Sequence, residues 1–235
     1  MHGLVRCLRS SLRYIVCLCA IFLATGLYFS LFASPEDYRQ GDVVRIMYLH
    51  VPCAWISLGA YTVIAALGLA TLVKKDSAMP VIARAIAPVG ACFTSVCLVA
   101  GSVWGKYTWG TWWVWDARLT SVLLLLFLFL GYTSLWNVFE DQHRAARTTA
   151  LFAVFSAINV PIVKFSVDIW STLHQTSSIL RKGGIAIDPA MLVPLITMFV
   201  ALSLLFVVLA ILRVDTLLNK RETQALMQKF CSELQ

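Results

Sequence analysis

At 235 residues, 60% of them hydrophobic and only 13% charged, with a mean hydropathy of +0.80, the chain is far from an ordinary soluble domain, in which about a quarter of the residues are charged. The length accommodates several membrane spans with short loops but no additional soluble domain of ~100 residues. The formal net charge of +7 comes from basic residues scattered between apolar runs; without a stripe or cluster it does not point to nucleic acid, and the partner it implies is the lipid bilayer.

A helix crosses a bilayer with about 20 apolar residues, at ~1.5 Å of rise each through a ~30 Å core. Six segments qualify, at about 14–32, 51–73, 85–103, 119–139, 148–163 and 191–212. The expected fold is all-α: a single membrane domain over 1–235, with six transmembrane helices. The first span follows Arg6, Arg9 and Arg13, as a secretory signal would, but its apolar stretch exceeds a usual signal core, which favours a retained helix. The fifth is the shortest and carries Asn159 and Pro161. The tail beyond Leu212 reads as a short polar helix.

Lys and Arg orient the bundle. The N-terminus (Arg6, Arg9, Arg13), the second loop (Lys74, Lys75, Arg84), the fourth loop (Arg144, Arg147) and the tail (Arg213, Lys220, Arg221, Lys229) hold twelve of the nineteen. The other loops hold seven: Arg39 and Arg45, Lys106 and Arg118, then Lys164, Arg181 and Lys182. This bias predicts both termini in the cytoplasm, the first, third and fifth loops in the periplasm, and a multi-pass protein of the inner membrane. The seven cysteines form no CxxC, no CxxCH and no paired zinc spacing, so the chain is not itself a c-type cytochrome and its thiols read as small hydrophobes.

The third loop, 104–120, carries Trp104, Trp109, Trp112, Trp113 and Trp115, five of the chain's eight tryptophans within twelve residues. An interfacial aromatic belt needs only one or two per helix end. If the stretch is helical, Trp109, Trp112, Trp113 and Asp116 share one face. Such a helix lies on the membrane surface as an indole shelf, flat and polarizable, suited to a planar macrocycle at a half-wet boundary. Of four histidines, His2 and His143 sit among charged residues on the predicted cytoplasmic side. His50 stands at the mouth of the second span and His174 in the fifth loop, both on the side predicted for the shelf. An interfacial histidine is often structural; two beside an indole shelf also fit the axial ligands of a haem iron. The residues alone leave both readings open.

The run Trp104-Gly105-Lys106-Tyr107-Thr108-Trp109-Gly110-Thr111-Trp112-Trp113-Val114-Trp115-Asp116-Ala117-Arg118-Leu119-Thr120 resembles the WWD signature of the haem-handling protein family almost throughout. The resemblance continues in 45–55 and 159–175, each bearing a histidine, and six spans fit the C component of system I cytochrome c maturation better than the larger F component or the system II synthetase. It implies haem b resting on the WWD segment at the periplasmic face with His50 and His174 as axial metal ligands. It further implies transfer of that haem to a periplasmic haem chaperone, the E component, with the small membrane D component and the A/B ABC transporter components as partners. Lys164 puts a cation where the family often has a neutral residue. Haem's two propionates call for cations: Arg118 closes the WWD segment and Arg45 precedes His50 by a turn, with Lys106 and Arg181 as further candidates. Asp116 is expected to hold Arg118 or to cap the helix beginning near Leu119.

Two alternatives use fewer of these features. A quinone-linked bis-His cytochrome b would carry mid-helix histidines, and an ABC permease subunit without haem would leave the Trp run idle. No nucleophile–base pair or phosphate loop suggests an enzyme.

Overall fold

The computed structural model describes residues 2–74, 78–170, 172–174, 184 and 187–233. Seven α-helices build it: α1 (His2–Tyr28), α2 (Met47–Val73), α3 (Ala78–Trp109), α4 (Ala117–Leu135), α5 (Gln142–Ser156), α6 (Asn159–Ile169) and α7 (Pro189–Glu233). One π turn, Phe29–Ala33, extends α1, and a 3-10 turn, Asp42–Ile46, leads into α2. Extended pairing among the described residues is limited to one bridge, Asp37 to Gly41. Six helical segments are long and apolar enough to cross a membrane: Ser10–Ala33, Asp42–Val73, Ala78–Trp109, Ala117–Leu135, Gln142–Ile169 and Pro189–Ser232. All-helical spans are what a bilayer demands, because a backbone in hydrocarbon must bond to itself. Side-chain hydroxyls obey the same rule by donating to the carbonyl one turn back: Ser57 to Cys53 at 2.7 Å, Thr94 to Gly90 at 2.8 Å and Thr149 to Ala145 at 2.8 Å.

Three expectations change. The fifth span is two helices, because Pro161 has no N–H for the Ala157 carbonyl; Val160 N takes that carbonyl instead, at 3.0 Å, in a tighter turn. Asn159 at this break donates its amide to the Ser121 carbonyl of α4 at 2.9 Å. The tail after Leu212 is not a separate helix but the continuation of α7. The third span reaches Trp109, taking with it the first six residues assigned to the loop. Lys75, Arg181, Lys182 and Gln175 lie outside the described residues.

α2 packs against α3, α5 and α7, α4 against α3 and α6, and α1 rests mainly on α7 at the periphery. Two apolar cores stack along the bundle. One joins Tyr61, Ile64, Leu125, Phe129, Tyr132 and Trp136; at its end the Arg84 guanidinium lies 4.9 Å over the Trp136 ring. The other joins Tyr48, Cys53, Phe93, Cys97, Met191 and Leu195, with the buried Cys53 and Cys97 thiols acting as small hydrophobes. From Arg84 to Gly101, α3 rises about 25 Å, so the second core lies near the opposite membrane boundary, directly beneath the candidate site.

Candidate haem site

Helix α2 brings His50 one turn into the bundle, against the backbone of α3. The contact exists because position 101 is glycine: a Cβ there would lie 2.7 Å from His50 Cε1, inside any van der Waals limit. In that notch His50 Nδ1 lies 2.9 Å from the Cys97 carbonyl oxygen. A carbonyl only accepts, so Nδ1 carries a hydrogen, and in the neutral ring Nε2 then keeps the lone pair. The Trp104 indole flanks the imidazole edge-on, 5.7 Å between centroids. Trp104 Nε1 in turn donates to Gln40 Oε1 at 2.7 Å, tying the loop after α1 to this wall.

The WWD segment is not the amphipathic helix that its spacing suggested. Helix α3 ends at Trp109 because Gly110 adopts φ +78°, a left-handed stop that favours glycine; residues 110–116 are irregular until α4 begins at Ala117. Lys106 Nζ caps the helix end by donating to the Gly110 carbonyl at 3.1 Å, and Ser102 Oγ pins the segment back by donating to the Trp112 carbonyl at 2.6 Å. The indoles therefore part company. Trp104, Trp109 and Trp113 line a cavity, with Trp113 Nε1 buried and unbonded. Trp112 and Trp115 face outward, 56% and 75% exposed, with Trp115 edge-on to Trp113 at 5.4 Å.

Asp116 closes the segment. Its Oδ1 accepts from Leu119 N at 2.7 Å and caps α4, as one of the two expected roles required. Its other oxygen, Oδ2, stands 3.6 Å from His174 Nδ1. His174 packs edge-on to Trp109 at 4.9 Å, and burial pushes its imidazole down to about 4 against the pull of the Asp116 carboxylate. At neutral pH it is uncharged, the form that binds a metal.

The cavity, about 300 Å³, is lined by His50, His174, the three inward indoles, Arg118 and Lys164, with an apolar floor of Ala54, Trp55, Leu58, Leu98, Val122 and Val163. The volume lies at the low end of the range for cofactor pockets. Arg118 Nε donates to Ser166 Oγ at 3.2 Å and Nη2 to the Lys164 carbonyl at 3.4 Å, and among the described residues no carboxylate hydrogen-bonds to the cation. Arg45 does not reach the cavity. Its guanidinium is held by Asp42 Oδ1 at 2.6 Å and by the Ser30 and Leu31 carbonyls at 3.1 and 2.6 Å, so it braces the entry to α2 against the end of α1. Among the described residues no cluster of three or more His, Cys, Asp or Glu could hold a bare metal ion. Two imidazoles lining one apolar cavity are the nitrogen donors that the site offers to a ligand.

Several lining groups were not legible as site residues. Gly101 and Cys97 look like any residues of an apolar helix; only the packing of α2 on α3 gives them a role. Lys164, a departure from the family pattern, meets the site through its backbone carbonyl, which accepts from Arg118, while the residue as a whole is exposed.

Residues 2–229 match the family described as Heme exporter protein C. A Heme exporter protein C of Bradyrhizobium diazoefficiens is 46% identical over 214 residues, 91% of this chain and 81% of that protein. Its counterpart in Escherichia coli K12 is 42% identical over 198 residues, 84% of this chain and 80% of that protein. A mitochondrial protein of Marchantia polymorpha, described as ccmC-like and of cytochrome c biosynthesis, is 42% identical over 181 residues, 77% of this chain and 76% of that protein.

Proposed function

The chain belongs to the Heme exporter protein C family, and on that premise we propose that it holds haem b at the periplasmic face between His50 and His174 and presents it to a periplasmic haem chaperone. Family membership makes it a haem-handling membrane protein of cytochrome c biogenesis and not a catalytic enzyme, which sets aside the quinone-linked cytochrome. The observation that carries the ligation is the pair of imidazoles lining one apolar cavity, each with Nδ1 turned to an acceptor. Both then offer Nε2 to iron, the usual arrangement of a ligating histidine with an outer partner.

Arg118 supplies positive charge for the propionates, and the orphan N–H of Trp113 supplies a further donor. The outward Trp112 and Trp115 leave flat apolar area at the rim for the chaperone, which reaches the macrocycle edge there. The small D component and the A/B transporter belong to the same machinery in this reading, and ATP is hydrolysed by the transporter.

Transfer and retention test this division of labour. On co-expression with the chaperone, Trp112→Ala and Trp115→Ala are expected to keep most haem on this protein while lowering covalent haem on the chaperone severalfold. Trp113→Ala is expected to lower both. Normal transfer by all three variants would reduce the segment to an interfacial anchor and move the haem site elsewhere. The orientation is tested separately: topology reporters fused after Gly41 and Gly110 are expected to register as periplasmic, and one after Gln142 as cytoplasmic. The inverse pattern puts the cavity in the cytosol and discards the periplasmic handover.

A further inference from the structure

Resting on the bis-His reading above, we propose that Asp116 is the positioning residue of His174, so that the two axial imidazoles are backed by unlike acceptors, a carboxylate behind His174 and a peptide carbonyl behind His50. The side chain of Asp116 is 6% exposed and that of His174 21%. Oδ1 is committed to the N-cap of α4, while Oδ2 and His174 Nδ1 are both buried and have no other partner among the described residues. The 3.6 Å between them needs to close by only about 0.7 Å to reach an ordinary N–H···O bond. A buried carboxylate oxygen and a buried ring nitrogen left facing each other are each costly unpaired, so the contact is the one each requires.

The consequence is chemical. An Nδ1–H that donates to a carboxylate makes the ring a stronger donor at Nε2 than one that donates to a peptide carbonyl. The stronger donor favours ferric over ferrous iron. His174 is then the firmer ligand of ferric haem and His50 the weaker. The cap also couples the two jobs of one residue: the carboxylate that orients His174 is itself held rigid by the first turn of α4, so the WWD segment, the helix and the ligand are set as a unit.

The test uses the full-length protein loaded with haem in detergent. Asp116→Asn keeps a good N-cap and removes the charge; Asp116→Ser keeps a cap and cannot reach the imidazole. Both are expected to weaken ferric haem retention by roughly tenfold or more, to weaken ferrous retention less, and so to raise the midpoint potential, with the haem-free protein still inserted and helical. In a His174→Ala background Asp116→Asn is expected to have no further effect on potential or spectrum. Unchanged potential and ferric retention in Asp116→Asn, where His174→Ala does alter the low-spin spectrum, overturns this inference and leaves the ligation standing. A full Asp116→Asn effect in the His174→Ala background overturns it as well, since the carboxylate would then act by another route. A low-spin spectrum indifferent to His174→Ala removes the ligation and this inference together.

Discussion

Replacing either His50 or His174 by alanine is expected to turn a six-coordinate low-spin haem spectrum into one of a five-coordinate or solvent-ligated iron, and to lower haem retention by well over tenfold. The magnitude follows from the outer partners: losing a hydrogen-bond partner of a ligand alone costs about 10–100-fold in affinity, and losing the ligand costs more. Spectra of each single variant, with His50→Gly supplemented by free imidazole, check the expectation. Recovery of the low-spin bands by imidazole would mark the notch beside Gly101 as an axial position. Two single variants with wild-type spectra would end the bis-His reading.

A change at a residue that offers the iron no ligand is expected to do nearly as much. At position 101 a single methyl would sit 2.7 Å from His50 Cε1 and 3.0 Å from Nδ1, so Gly101→Ala forces either the ring out of its notch or α2 away from α3. Overpacking of this kind costs about 1–3 kcal/mol, which a bundle of six spans absorbs. What it does not absorb is the loss of the 2.9 Å contact from Nδ1 to the Cys97 carbonyl, which fixes the tautomer. Gly101→Ala is therefore expected to insert and fold, yet to retain haem no better than His50→Ala. The sharp comparison is with Gly59, which has nothing within 4 Å of an added Cβ: Gly59→Ala is expected to retain haem normally. Equal retention in Gly101→Ala and wild type would show that His50 does not depend on that notch.

Much of the architecture could be read from local chemistry. The bilayer sets a length of apolar chain and forces each span to satisfy its own backbone, so hydropathy alone located six spans whose centres agree with those observed. The ends were less legible because a helix stops where the next group can cap it. Lys106 and Gly110 decide where α3 ends and Asp116 decides where α4 begins, and these are interactions between particular atoms rather than averages over a window. Periodicity misled at the WWD segment for the same reason: a helical spacing over 109–116 carries no helix once a left-handed glycine interrupts it.

By itself, then, the sequence determined the class, the spans, the Trp-rich segment and the two histidines at one end of the bundle, because these depend on composition and on neighbours a few residues away. Only the tertiary structure decided which indoles turn inward, that Arg45 is spent on the end of α1 while Arg118 lines the cavity, that Gly101 makes room for an imidazole, and that Asp116 stands behind His174. These features join residues from different helices or loops, 51 positions apart between His50 and Gly101 and 58 between Asp116 and His174. No period along the chain encodes such distances; they exist only when the helices pack.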